Sequence, residues 1–283
     1  MPGSLAGLRA PVRIFAHWYA GAVKLCRFEL SASPGETRSG LFYDGRVYET
    51  DGESAIGIHD PSSIRLQCPI GRPSAVRFFD LLTGEFGEPL LTYSYLHPSS
   101  LVRPLGEIPL SESSGPVGLD VRVCAVVQEE GRLVERAEAE RHILGYSILA
   151  NVVDLDGFEK AQRSGRGLTP ARDQGSFFGP FVVTPDELTE AMSGDDRTRF
   201  TWTLKIAINR QTIFESTQAQ AVSAADVLAA GSVFRPWEPG EIAAFPALEV
   251  PDLSETPLGR PLAPTDHLAV TVEPLGTLVG EIA

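Results

Sequence analysis

The chain's 283 residues carry 24 basic against 37 acidic side chains, a formal charge of −13 that argues against nucleic acid and anionic lipid as partners. Three cysteines (Cys26, Cys68, Cys124) without C-x-x-C spacing fit a reducing, cytoplasmic setting better than a disulfide scaffold. No apolar run approaches the roughly 20 residues of a membrane span, and Met1 to Phe28 lacks the pattern of a signal peptide.

In chain order, Val23 to Phe28 predicts a short strand, followed by a Gly/Ser/Pro loop over Ser31 to Gly40. A strand pair then turns at Asp44-Gly45, a dipeptide suited to a two-residue hairpin. Pro61, Pro69 and Pro73 interrupt regular structure, which places a boundary near Pro69: a small β-rich unit over 1–69 and a larger one over 70–283. Ala75 to Leu82 suits a short helix, and Val-rich Val121 to Val127 a buried strand. Glu135 to His142 is expected to be helical, and Leu144 to Val153 a helix end or a buried segment. Phe181 to Val183 predicts a strand running into Thr184-Pro185-Asp186-Glu187, which has the form of a capping box. Phe200 to Asn209 alternates as a half-exposed antiparallel strand, and Ser223 caps a short helix to Ala230. Leu268 to Val272 and Leu275 to Ile282 close the chain as a hairpin, so the fold class is a β-rich α+β.

Several stretches, in this order, resemble the fumarylacetoacetate hydrolase family: Arg72-Pro73-Ser74-Ala75-Val76-Arg77, Gly118-Leu119-Asp120 with the strand after it, Gly145-Tyr146-Ser147-Ile148, Gly179 to Leu188, Pro239-Gly240-Glu241 and Gly276-Thr277-Leu278. The resemblance implies that family's β-rich roll and a homodimer. It also implies a divalent metal held by carboxylates, acting as a Lewis acid on an enolisable substrate. In the implied alignment the two strand glutamates fall on Arg122 and Cys124, an aspartate on Asn151 and the catalytic lysine on Arg172. The water-activating pair falls near Glu85 and Thr83, while Asp156 keeps an acidic position. A guanidinium has no acceptor and repels a dication, so neither a metal nor any other cofactor is expected.

These substitutions leave two readings. Arg122 either fills the vacated metal site, paired with Glu85 or Asp156, or replaces the metal as the fixed cation beside a developing enolate. Arg172, in the Gly/Pro-rich loop Gly165 to Gly175, is either a solvated loop residue or a second such cation. Glu85 and His97 are the candidate proton carriers, and Tyr93, Tyr95, Asn151, Asp156 and Gln174 the candidate substrate contacts. The first functional expectation is a metal-independent enzyme acting on a β-dicarbonyl or polyketide-like metabolite by cyclisation, isomerisation or C–C cleavage. The second is a non-catalytic family member that binds a ligand or a protein.

Overall fold

The computed structural model describes residues 23–84, 88–111, 115–193 and 196–283. The N-terminal strands are β1 (Lys24–Leu30), β2 (Ser33–Tyr43), β3 (Arg46–Thr50), β4 (Ala55–His59) and β5 (Ile64–Gln67). They are followed by β6 (Val76–Thr83), β7 (Pro89–Leu96), β8 (Leu101–Val102), β9 (Glu107–Ile108), β10 (Val117–Val127), β11 (Ile143–Asp154) and β12 (Gly175–Val183). The last strands are β13 (Met192–Ser193), β14 (Asp196–Ile208), β15 (Gln211–Ala219), β16 (Ile242–Ala244), β17 (His267–Glu273) and β18 (Gly276–Ile282). The α-helices among the described residues are α1 (Leu155–Arg163), α2 (Thr169–Arg172) and α3 (Ala224–Gly231).

The larger sheet runs β4-β3-β2-β1-β12-β11-β10-β16-β6-β7, and the smaller one β13-β14-β17-β18-β9 with β15 beside β14. This is the expected β-rich α+β architecture. The strands before Pro69 continue the larger sheet through two residue pairs, Lys24 with Val183 and Leu25 with Val182. The main core lies between the sheets. Val121, Val123 and Ala125 of β10 meet Trp202, Leu204 and Ile206 of β14 and Val270 and Val272 of β17 there. Because strand side chains alternate, the opposite face of β10 carries Asp120, Arg122 and Cys124. That second face is where the polar site forms.

Several elements differ from the sequence expectation. The segment Ala75 to Leu82 is strand, not helix: β6 pairs with β7 from Val76↔Leu96 to Thr83↔Pro89 and runs parallel to β16. Its apolar residues fit either periodicity, and tertiary pairing decides. The expected loop over Ser31 to Gly40 is largely β2, paired with β1 across a bulge between Phe28 and Leu30. Gly40 permits this packing, since a Cβ there would lie 2.9 Å from the Phe28 ring. Leu144 to Val153 is the centre of β11, which is buried on both faces, and so lacks the alternation that marks a strand. Thr184 does not cap the following 3₁₀ turn; its hydroxyl instead accepts from the Val23 amide at 3.0 Å. The Asp44-Gly45 turn, the C-terminal hairpin and the Ser223 cap, whose hydroxyl accepts from Asp226 N at 3.1 Å, are as expected.

Two of the sequence stretches meet through a buried ion pair. Arg77 of β6 donates to Glu241 at 2.6 Å, with its guanidinium 3.8 Å above the Trp237 ring. Arg77 also donates to the Gly231 and Pro236 carbonyls, so the pair anchors β6 against the segment that follows α3.

Candidate functional site

On the second face of β10, four charged side chains from three elements converge. Asp120 and Arg122 stand two residues apart and so share that face, Asp80 comes from β6, and Arg172 comes from the end of α2. Arg122 is almost completely buried, at 1% exposure. Its Nε donates to Asp120 Oδ1 at 2.8 Å, and its Nη2 to Asp120 Oδ2 and Asp80 Oδ1, both at 2.9 Å. Its Nη1 donates to the Phe79 and Phe245 carbonyls at 2.6 and 3.1 Å. A guanidinium has five N–H groups, and all five of Arg122's have acceptors.

Arg172 is placed differently. Nη1 and Nη2 grip Asp80 at 2.7 and 2.9 Å, but Nε stays 3.8 Å from Asp120 Oδ2, beyond hydrogen-bond range. Three of its five N–H groups therefore have no acceptor among the described residues. Its guanidinium carbon lies over the Phe78 and Phe158 rings, 5.6 and 5.4 Å from their centroids.

Burial acts to raise the Asp80 pKa, but hydrogen bonds from Arg172 and the charge of Arg122 outweigh it and hold the carboxyl below its ordinary range. For Arg122, burial disfavours the cation, yet Asp120 and Asp80 push its pKa above even the usual arginine value. With two carboxylates set against two guanidinium groups, the formal charges of the cluster cancel.

Above the cluster opens a cavity of about 470 Å³ lined by Asp80, Asp120, Arg122 and Arg172, with apolar walls that include Leu119, Leu155, Phe158 and Leu248. Helix α1 forms part of the wall. Asp154 caps it by accepting from Gly157 N at 3.0 Å.

The other sequence candidates lie elsewhere. Asn151 is fully buried beneath α2, and its amide nitrogen lies 2.7, 3.1 and 2.8 Å from the Arg172 carbonyl, the Gly175 carbonyl and Ser176 Oγ. It thus fixes the loop that carries Arg172. Tyr93 and Tyr95 of β7 pair with Phe79 and Arg77, on the opposite face of β6 from Asp80. His97 is exposed and caps the turn Pro98–Ser100, with Nδ1 accepting from Ser99 N at 3.2 Å. Asp156 is exposed on α1, and half-buried Gln174 follows α2 without lining the cavity. Glu85 lies outside the described residues. Arg122's partners are therefore Asp80 and Asp120, not Asp156. Cys124 sits in the apolar cluster behind the site with Val126 and Leu149, where burial pushes its thiol pKa far up. The residue pair at the cavity is thus Asp120 and Arg122, one alternation earlier than Arg122 and Cys124. A strand period of two marks Asp120 as sharing Arg122's face, whereas Asp80 was hidden in a segment that reads as helix.

Residues 84–283 match the family model described as fumarylacetoacetate (FAA) hydrolase C-terminal. The chain belongs to this family. Among solved structures it is similar to 5-carboxymethyl-2-hydroxymuconate delta-isomerase from Mycobacterium smegmatis, with TM-score 0.68, 19% identity and coverage of 92% of this chain and 99% of that one. It is similar to 2-hydroxyhepta-2,4-diene-1,7-dioate isomerase from Mycobacterium marinum, with TM-score 0.70, 19% identity and coverage of 92% and 98%. A third is the fumarylacetoacetate hydrolase of the psychrophile Exiguobacterium antarcticum, with TM-score 0.69, 19% identity and coverage of 92% and 99%. At such identity these likenesses bear on the fold. No curated protein sequence matches the chain.

Proposed function

We propose that the chain is a metal-independent enzyme acting on a small enolisable metabolite, a β-dicarbonyl or polyketide-like compound, by isomerisation, cyclisation or C–C cleavage. The observation that carries this is Arg172: a buried cation at a cavity floor, fixed by Asp80 and two aromatic rings, with three N–H groups lacking acceptors among the described residues. A preorganised donor of this kind stabilises an oxygen on which negative charge develops, without reorganising during the reaction.

The divalent metal implied by the family does not suit this donor set. A hard dication needs six or more oxygen ligands, carboxylates among them. All four carboxylate oxygens of Asp80 and Asp120 already accept from guanidinium groups, and two cations stand beside them. Among the described residues no group of three His, Cys, Asp or Glu side chains is arranged to hold a metal ion.

In this reading Arg172 is the contact for the substrate oxygen, and Arg122 holds Asp80 and Asp120 in place. Asp120 takes the proton-carrier role first assigned to Glu85 or His97, because its carboxylate lies at the floor 3.8 Å from Arg172 Nε. Two of the similar structures are named as isomerases, and isomerisation through an enol needs only a proton acceptor and a stabilised oxygen. A second reading, a non-catalytic binding protein, draws support from the saturation of Arg122, a closed network of the kind structural ion pairs form. Turnover of a panel of 1,3-dicarbonyl compounds in excess chelator, by wild type and by Arg172→Met, separates the two. Turnover lost in the variant supports the enzyme; compounds that bind without reacting support the binding protein.

A further inference from the structure

We infer that the ligand of this cavity has a long apolar body and one electron-rich oxygen end, and is not charged at both ends. The inference rests on the reading above for the location of the oxygen contact and goes beyond it in the class of molecule.

The floor and the walls argue it separately. On the floor, two aspartates and two arginines cancel. An arriving anion therefore meets no net positive field, only the directed N–H groups of one side chain. Arg122 has no N–H group left to offer, so the recognition capacity is that of Arg172 alone: one oxygen, or one bidentate pair. Apart from these four residues, Gln162 is the one polar side chain lining the cavity among the described residues. The remaining wall is apolar, with Leu119, Leu155, Phe158, Leu168, Leu248 and Val250 among its residues. A second carboxylate on the ligand would have to be desolvated against this wall with no further cation among the described residues to receive it, which is strongly unfavourable. An alkyl chain or ring gains from the same wall. The volume of about 470 Å³ lies within the range of small-molecule cavities and leaves room for more than a short diketone.

The test is equilibrium binding, by titration calorimetry, of acetylacetone, of its straight-chain homologues extended by two and by four methylenes, and of acetonedicarboxylate as the doubly charged probe. A methylene fully buried in an apolar wall tightens binding by about fourfold, so four that are even partly buried are expected to make the longest homologue bind on the order of tenfold or more tightly than acetylacetone. Acetonedicarboxylate is expected to bind more weakly than acetylacetone. Leu155→Asp, at a wall position that is 37% exposed, is expected to flatten the chain-length series without unfolding the chain. Affinity independent of chain length, acetonedicarboxylate binding more tightly than the longest homologue, or no saturable binding of that homologue would each overturn the inference. Because binding is read apart from turnover, the two readings fail separately. A protein that follows the chain-length series but leaves every diketone unchanged keeps this inference and loses the enzymatic reading. One that turns over the diacid and prefers it does the opposite.

Discussion

Asp80 receives both terminal nitrogens of Arg172, at 2.7 and 2.9 Å, in a two-point contact between residues 92 positions apart in the chain. The pair joins strand β6 to helix α2 and closes one side of the cavity floor. Asp80 Oδ1 also accepts from Arg122 Nη2, so this one carboxylate sets the position of both cations.

The two arginines should respond differently to the same substitution. Arg122→Met removes the partner of Asp120 and leaves two main-chain carbonyls and a largely buried carboxylate poorly satisfied. The expected loss is about 3–5 kcal/mol of stability in a urea titration, because breaking a buried pair from one side strands the other charge. Arg172→Met leaves Asp80 its bond to Arg122 and should cost less stability. In the enzymatic reading it lowers turnover by roughly 10²–10³, with a much smaller effect on ligand binding. Equal stability losses in the two variants, with turnover intact in Arg172→Met, would contradict this division of roles.

Acid should weaken the cluster through Asp80. Its pKa is lower in the folded state than the ordinary value of 3.8, so the unfolded chain takes up the proton first on acidification. The stability it contributes is fully present above the unfolded pKa and is lost as pH falls through the folded one. The difference in urea midpoint between wild type and Asp80→Asn should thus be constant from neutrality down to about pH 5 and shrink below about pH 4. A difference that grows on acidification would reverse the assigned sign.

Asn151 offers a test of how Arg172 is positioned. Its amide nitrogen faces the Arg172 and Gly175 carbonyls and Ser176 Oγ. Asn151→Asp places an oxygen against carbonyl acceptors and removes the donor. The expected result is about 1–3 kcal/mol of lost stability, together with faster amide exchange in the 168–175 loop. Asn151→Ser, which keeps a donor, should recover part of both effects. Unchanged exchange in Asn151→Asp would show that the loop is held by other contacts.

The part of the site on β10 was legible because Val121 to Val127 is rich in β-branched residues, so an arginine within it is conspicuous. Its partners were not. Val76 to Leu82 places apolar residues where a helix would also have them, and only pairing with β7 and β16 puts Asp80 and Phe78 on one face. Helix α1 has no buried residues and left no apolar period to find, although it supplies Phe158 and part of the wall. Tyr93 and Tyr95 suggested a pocket lining because aromatic residues alternate there. Strand alternation does place them together, but across β6 from the cavity. Order along the chain identified the family; which face each strand turns to the cavity required the fold.

Restoring a carboxylate should restore the ion. With Asp80 and Asp120 already at the floor, Arg122→Glu creates a three-carboxylate group beside the cavity. It should give calorimetric binding of Mn²⁺ or Mg²⁺, with stability that depends on the metal. Adding Cys124→Glu should not help, since that side chain points into the apolar cluster behind the site. A well-folded Arg122→Glu protein that binds no divalent ion would show that these two aspartates are not placed to form such a site.

The claim that two Asp–Arg pairs stand where the family implies a metal is tested most directly by elemental analysis of the wild-type protein, purified without chelator. The account predicts no divalent metal in stoichiometric amount and a melting temperature unaffected by EDTA. Magnesium, manganese or calcium at a stoichiometry near one per chain, lost together with thermal stability on chelation, would contradict it.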